Sequence, residues 1–189
     1  MSALAVAVLD TACAVPPVPG HVIVTGDSIA LQGWYLGGNY RDATVYTGLG
    51  WRASHSYPMV AADVTDAGRS PQVLVMAYGH NYTTTGMTSA DRTELADHAR
   101  LIHPDACLVI LLPAYPGPDE YRRQVIDAYR AWAYDFEAGD PSGVVLVDWA
   151  AVVADHLDYL GDDYVHLSET GAPAFTDLVN GGVDTCLSR

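Results

Sequence analysis

Lysine is absent from this chain. All nine basic residues are arginine, set against 23 Asp and Glu, for a formal net charge of −14. The missing lysine excludes a P-loop, which needs one beside the phosphates, although Gly-rich stretches occur at Gly37-Gly38-Asn39 and Gly48-Leu49-Gly50. The negative balance repels phosphate backbones and anionic lipid, so neither nucleic acid nor membrane insertion is expected. Long hydrophobic runs are missing too. The apolar stretch Ser2 to Leu9 is far too short to cross a bilayer. It has no basic flank and meets Asp10 early, which makes it a poor signal peptide as well. None of the histidines stands in a His-Glu-x-x-His or Cys-His spacing, so no metal and no other cofactor is expected.

Cysteine is scarce, with three residues at positions 13, 107 and 186. Cys107 lies in the apolar run Ala106 to Leu112 and reads as a small core residue. Cys13 and Cys186 lie near opposite ends of the chain, and domain termini often lie close together. Two readings stay open for them: a disulfide, which would mark an extracytoplasmic, oxidising compartment, or two unrelated thiols.

What is present suits one globular domain. The chain has 189 residues, of which 50% are hydrophobic and 17% charged. Pro16-Pro17-Val18-Pro19-Gly20 separates an N-terminal arm, residues 1–20, from a domain over 21–189. Short, nearly continuous apolar runs follow at His21 to Thr25, Ala43 to Thr47, Gln72 to Tyr78, Ala106 to Leu112 and Gly143 to Asp148, as expected of strands covered on both faces. Helical patterns lie between or after them. The clearest runs from Pro118 or Asp119 to about Ala138; another starts near Thr88 or Ser89 and runs to Ile102, where His103-Pro104 stops it; a last one follows Ser168 through about Val179. Strands alternating with helices predict an α/β fold, a three-layer α/β/α sandwich on a five-stranded parallel sheet of flavodoxin-like type. Ligand sites in such folds form at the carboxyl ends of the strands, where Ser28, Gly50 and Asn81 follow the first three.

A serine hydroxyl becomes a useful nucleophile when a base takes its proton, a third group orients that base, and donors receive the developing oxyanion. Ser28 follows a strand and is read as the start of a helix, where its backbone N–H lacks an intrahelical partner. Asp163 stands three residues before His166, close enough for its carboxylate to reach the imidazole from one short loop. Taken singly, a Gly-Asp-Ser turn and an Asp-x-x-His pair are common; their order and their placement at strand ends carry the reading.

On these residues the chain resembles the GDSL/SGNH hydrolase superfamily, over about His21 to Val179. Gly26-Asp27-Ser28 resembles the nucleophile block, Gly50 in Thr47-Gly48-Leu49-Gly50-Trp51 the glycine block, Gly79-His80-Asn81 the Gly-x-Asn-Asp block, and Asp163 with His166 the Asp-x-x-His block. Tyr82 stands where the aspartate of the third block is usual, and Gly48 offers a second register for the glycine. The resemblance implies an ester hydrolase with Ser28 as nucleophile, His166 as base and Asp163 as its orienting acid. It implies an oxyanion hole of the Ser28 and Gly50 N–H groups and the Asn81 amide. Hydrolysis of a short acyl ester, on a small molecule or a carbohydrate, is the leading expectation. Acyl transfer from the same acyl-serine, or a non-catalytic binding module on the same fold, are the alternatives. The α/β-hydrolase elbow Gly-x-Ser-x-Gly fails at Ala30. Aromatics crowd the loops, and Trp51, His80, Tyr82 and Tyr115 are the candidate substrate-binding residues. The oligomeric state is not expressed in the sequence.

Overall fold

The structure is a computed structural model that describes residues 17–66, 68–82, 87–101 and 105–189. Cys13 and the helix stop at His103-Pro104 lie outside the described residues.

Five strands, β1 (Pro17–Gly26), β2 (Thr44–Thr47), β3 (Ser70–Ala77), β4 (Cys107–Leu112) and β5 (Val144–Asp148), form one sheet in the order β2-β1-β3-β4-β5. Every pairing is parallel. Neighbouring side chains on a strand point to opposite faces, and the sheet divides its core accordingly. Val22, Val24, Val73, Val75, Val109 and Leu111 pack beneath α1 (Ser28–Gly37), α5 (Trp149–Asp155) and α6 (Gly171–Leu187). Ile23, Leu74, Met76, Leu108 and Ile110 pack beneath α2 (Ala53–Thr65), α3 (Ser89–Ala99) and α4 (Glu120–Gly139). This is the expected three-layer sandwich with the flavodoxin-like strand order.

β1 begins earlier than its apolar run. Pro17 and Val18 pair with Ser70 and Pro71, the register breaks, and pairing resumes at Val22 with Val73. The break falls at Pro19 and at Gly20, whose φ of 74° only glycine adopts readily; its N–H donates to Gln72 Oε1 at 2.7 Å. α2 carries Pro58 inside it, which hides it from a reading by pattern, yet Ala53, Ser56, Val60 and Val64 give it a buried stripe. α6 continues past Val179 through Gly181-Gly182 to Leu187. A Cβ on Gly182 would stand 2.7 Å from Val147 Cγ1 and 2.9 Å from Val109 Cγ1, so the glycine lets α6 lie close on the sheet.

The cysteine expectations are overturned. Cys107 is disulfide-bonded to Cys186, with Cα atoms 5.6 Å apart and a sequence separation of 79. Cys107 opens β4, and α6 returns from the carboxyl edge of the sheet to bring Cys186 against it. Cys107 is therefore not a free core thiol, and Cys186 is not the partner of Cys13. A disulfide of this kind is consistent with an extracytoplasmic setting. Among the described residues, no helix is long and apolar enough to cross a membrane.

Candidate active site

Gly26, Asp27 and Ser28 form the turn from β1 into α1. A Cβ on Gly26 would meet Ala30 Cβ at 2.5 Å and the Ala77 carbonyl at 2.6 Å, so only glycine lets the turn close against β3. Asp27 caps α1: its Oδ1 accepts the Ile29 N–H at 3.0 Å, and its own N–H donates to the Ala77 carbonyl at 3.1 Å. Ser28 is the first residue of the helix, with its backbone N–H among those no helical carbonyl can reach.

The hydroxyl of Ser28 lies 3.1 Å from His166 Nε2, across 138 residues of sequence. His166 Nδ1 lies 2.5 Å from Asp163 Oδ2. With Nδ1–H turned to that carboxylate, Nε2 is left as the acceptor for the serine proton. The loop carrying the pair is fixed from several sides. Asp163 Oδ1 accepts the N–H groups of Val165 (3.0 Å) and His166 (2.9 Å), and the Gly161 N–H donates to the His166 carbonyl at 2.8 Å. Gln32, one helical turn beyond Ser28, accepts the Leu167 N–H at 2.9 Å and so ties α1 to this loop. Tyr164, between acid and base, takes a left-handed backbone with φ 57°, a conformation uncommon for a residue with a side chain.

Electrostatics follow from these contacts. Partial burial pushes the Asp163 carboxyl up, but the imidazole of His166 and the two backbone N–H groups outweigh it and hold the pKa at about 2. Asp27 shows the opposite balance. It is 1% exposed, and burial raises its pKa to about 7 against the lowering effects of the Ile29 and His80 N–H groups and of His166. Burial, then the positive fields of His166 and Arg122, lower His80 to about 4, with Asp163 opposing.

Gly26 pairs with Thr47 on one side and Ala77 on the other, so the loops after β2 and β3 flank the Ser28 turn. Gly79 leads the β3 loop away with φ 135° and is packed on Pro113. Asn81 follows in a short 3-10 turn, His80–Tyr82, and its amide donates to the Trp51 carbonyl at 3.0 Å. In the β2 loop Gly48 is buried, with the Trp51 indole against its α-carbon, while Gly50 is exposed with φ 72°.

The four candidate binding residues divide. Trp51 is half-buried, stacks on His55 and lines a cavity of about 730 Å³ with Tyr46, Met59 and Asp63. Tyr115 is half-buried in a separate recess of about 330 Å³ behind Pro113. His80 is 7% exposed. Tyr82 is fully buried, so it cannot form part of a substrate wall: its ring lies in the core on the α2, α3 and α4 side, and its OH donates to Glu94 Oε1 at 3.2 Å and accepts the Ala53 N–H. The burial follows from the 3-10 turn, which points residue 82 inward as it brings Asn81 to the edge. Gln32 and Arg52, the latter bound to the Asn81 carbonyl, carry no signal in the sequence beyond their nearness to Ser28 and Trp51.

No protein-family model matches the sequence, and no curated protein matches it. Solved structures do match. The chain is similar to the C-terminal catalytic domain of peptidoglycan O-acetyltransferase A from Streptococcus pneumoniae, with a TM-score of 0.74 and 15% identity over 89% of this chain and 94% of that one. It is similar to a family 3 carbohydrate esterase from Clostridium thermocellum, with a TM-score of 0.61 and 17% identity over 89% and 96% of the two chains. It is also similar to a G-D-S-L family protein from Desulfitobacterium hafniense, with a TM-score of 0.63 and 15% identity over 85% and 98%.

Proposed function

We propose that this chain, which has the fold of the GDSL/SGNH hydrolases, is a serine-dependent ester hydrolase that removes a short acyl group through an acyl-Ser28 intermediate. The observation that carries the reading is the unbroken relay from Ser28 Oγ through His166 to Asp163, at 3.1 Å and 2.5 Å. Ser28 attacks the ester carbonyl as His166 Nε2 takes its proton, and the nearby Asp163 carboxylate stabilises the imidazolium. The oxyanion receives the N–H groups of Ser28 and Gly50 and the amide of Asn81. His166 then protonates the leaving alcohol. In the second half it takes a proton from water, which attacks the acyl carbon and frees the serine.

The similarity to a carbohydrate esterase and the half-buried Trp51, whose carbonyl accepts the Asn81 amide, support a carbohydrate ester as substrate, with Trp51 as a contact. A second reading, transfer of the acyl group to a sugar hydroxyl in place of water, draws support from the acetyltransferase domain that shares the fold. One assay separates them. Wild type and Ser28→Ala are incubated with short-chain chromogenic esters, with and without a sugar acceptor. Hydrolysis predicts serine-dependent release that the acceptor leaves unchanged, and transfer predicts an acylated sugar. Equal release by Ser28→Ala refutes both.

A further inference from the structure

Tyr82 replaces the aspartate that usually follows the asparagine of the third block, and as a buried phenol it cannot offer the two acceptor oxygens of a carboxylate. Asn81 is nevertheless gripped from the opposite loop. Arg52 Nε and Nη2 both donate to the Asn81 carbonyl, at 3.3 and 3.2 Å. Its Nη1 donates to Asp91 Oδ1 at 3.3 Å, and its guanidinium lies 5.0 Å over the Tyr82 ring. Asp91 is itself anchored, because its Oδ2 accepts from the N–H and the hydroxyl of Thr88 at the start of α3. In the other direction, the Asn81 amide donates to the Trp51 carbonyl, the residue before Arg52. Each loop thus holds the other by one side chain on one backbone carbonyl.

We infer that Arg52 is a positioning residue for the reaction: its planar fork, anchored on Asp91, fixes the Asn81 carbonyl and so aims the Asn81 amide at the oxyanion. The inference rests on the reading of Ser28 as nucleophile and Asn81 as oxyanion donor. The chemistry favours arginine specifically. A lysine ammonium is a point charge that cannot set two parallel N–H bonds on one oxygen while reaching Asp91. Arg52 also begins α2, where its N–H donates to His55 Nδ1 at 3.1 Å, so a purely structural role in starting that helix is the competing account.

The test is a double-mutant cycle on Ser28-dependent hydrolysis of a short-chain chromogenic ester, comparing Arg52→Ala, Asn81→Ala and the pair. A misaimed donor lowers kcat by about 10- to 100-fold in Arg52→Ala and leaves KM within about threefold. If Arg52 acts through Asn81, the pair is no slower than Asn81→Ala alone. Full kcat in Arg52→Ala, or a loss in the pair equal to the product of the two single losses, overturns the inference. Arg52→Lys guards against simple misfolding: it should melt with the wild type and still lose kcat. A readout free of turnover is the NMR resonance of the Asn81 side-chain amide, identified by its disappearance in Asn81→Ala. It should shift in Arg52→Lys, and an unmoved resonance overturns the inference. A resonance that moves in Arg52→Lys, when the wild type itself shows no Ser28-dependent turnover, keeps the brace and refutes the proposed function.

Discussion

Replacing Cys107 and Cys186 together by alanine removes a crosslink that closes a 79-residue circuit through β4, α4, β5, α5 and α6. Chain entropy assigns about 4.5 kcal/mol to a loop of this size, and native bridges commonly deliver about 2–4 kcal/mol. With an unfolding entropy of about 2.1 cal/mol/K per residue over the whole chain, that corresponds to a loss of roughly 5–11 °C in Tm. Thermal melts followed by circular dichroism, with and without reductant, measure it. Alanine also removes buried sulfur, since both half-cystines are nearly enclosed, so the reductant arm isolates the crosslink itself. Reduced wild type should fall most of the way to the double variant, and reductant should leave the variant unmoved. The bond lies at the amino edge of β4, at the opposite end of the strands from Ser28. The folded variant should therefore keep its kcat at room temperature. A wild-type Tm that reductant shifts by less than about 2 °C would refute the reasoning.

The further outcomes concern two carboxyl groups. Asp163→Asn leaves the loop's shape but withdraws the carboxylate that sets the imidazole's tautomer, so kcat should fall about 10³- to 10⁴-fold with KM little changed. Because His166 and the two backbone N–H groups hold Asp163 at about 2, its stabilising share is present above the unfolded value of 3.8 and is lost only as pH falls through about 2. The pH profile of kcat/KM should accordingly show no ordinary carboxylate step near pH 4. Asp27 runs the other way: its folded pKa is raised to about 7, so the stability tied to its protonated form is complete below 3.8 and lost as pH rises through about 7. Asn is an equally good cap and never ionises. Asp27→Asn should melt higher than wild type at about pH 8, with the gap closing toward about pH 4; a gap that does not depend on pH counts against a buried, shifted carboxyl.

The parts of this molecule legible in the sequence are those set by short-range pattern. The interior strands β3 and β4 read as continuous apolar runs because both their faces are covered, and Asp163 announces His166 because three residues of chain suffice to join them. What stayed hidden depends on distant chain. Pro17 and Val18 join β1 only because Ser70 and Pro71 arrive beside them. Cys107 finds Cys186 only once α6 has crossed the sheet. Tyr82 looks like a wall residue until the 3-10 turn drives it into the core, and Arg52 has no meaning before Asn81 is folded next to it. Nothing in the spacing of Gly48 and Gly50 tells which is buried; the indole of Trp51, lying against Gly48, decides that.

The sheet also parts the chemistry. Ser28 heads α1, and Val165 and Leu167, on either side of His166, belong to the same core as α1, α5 and α6. Tyr82 and Ala53, next to Asn81 and Arg52, belong to the core of α2, α3 and α4. In the proposed mechanism the nucleophile and its base are therefore mounted on one body of packing and the Asn81 donor on another, and the two meet along the sheet's carboxyl edge. Wear in one body should leave a different mark from wear in the other. On the proposed mechanism, a loosened α1 layer costs the protein its reactive serine together with the Ser28 N–H donor, whereas a loosened α2 layer keeps both and loses the aim of the Asn81 amide.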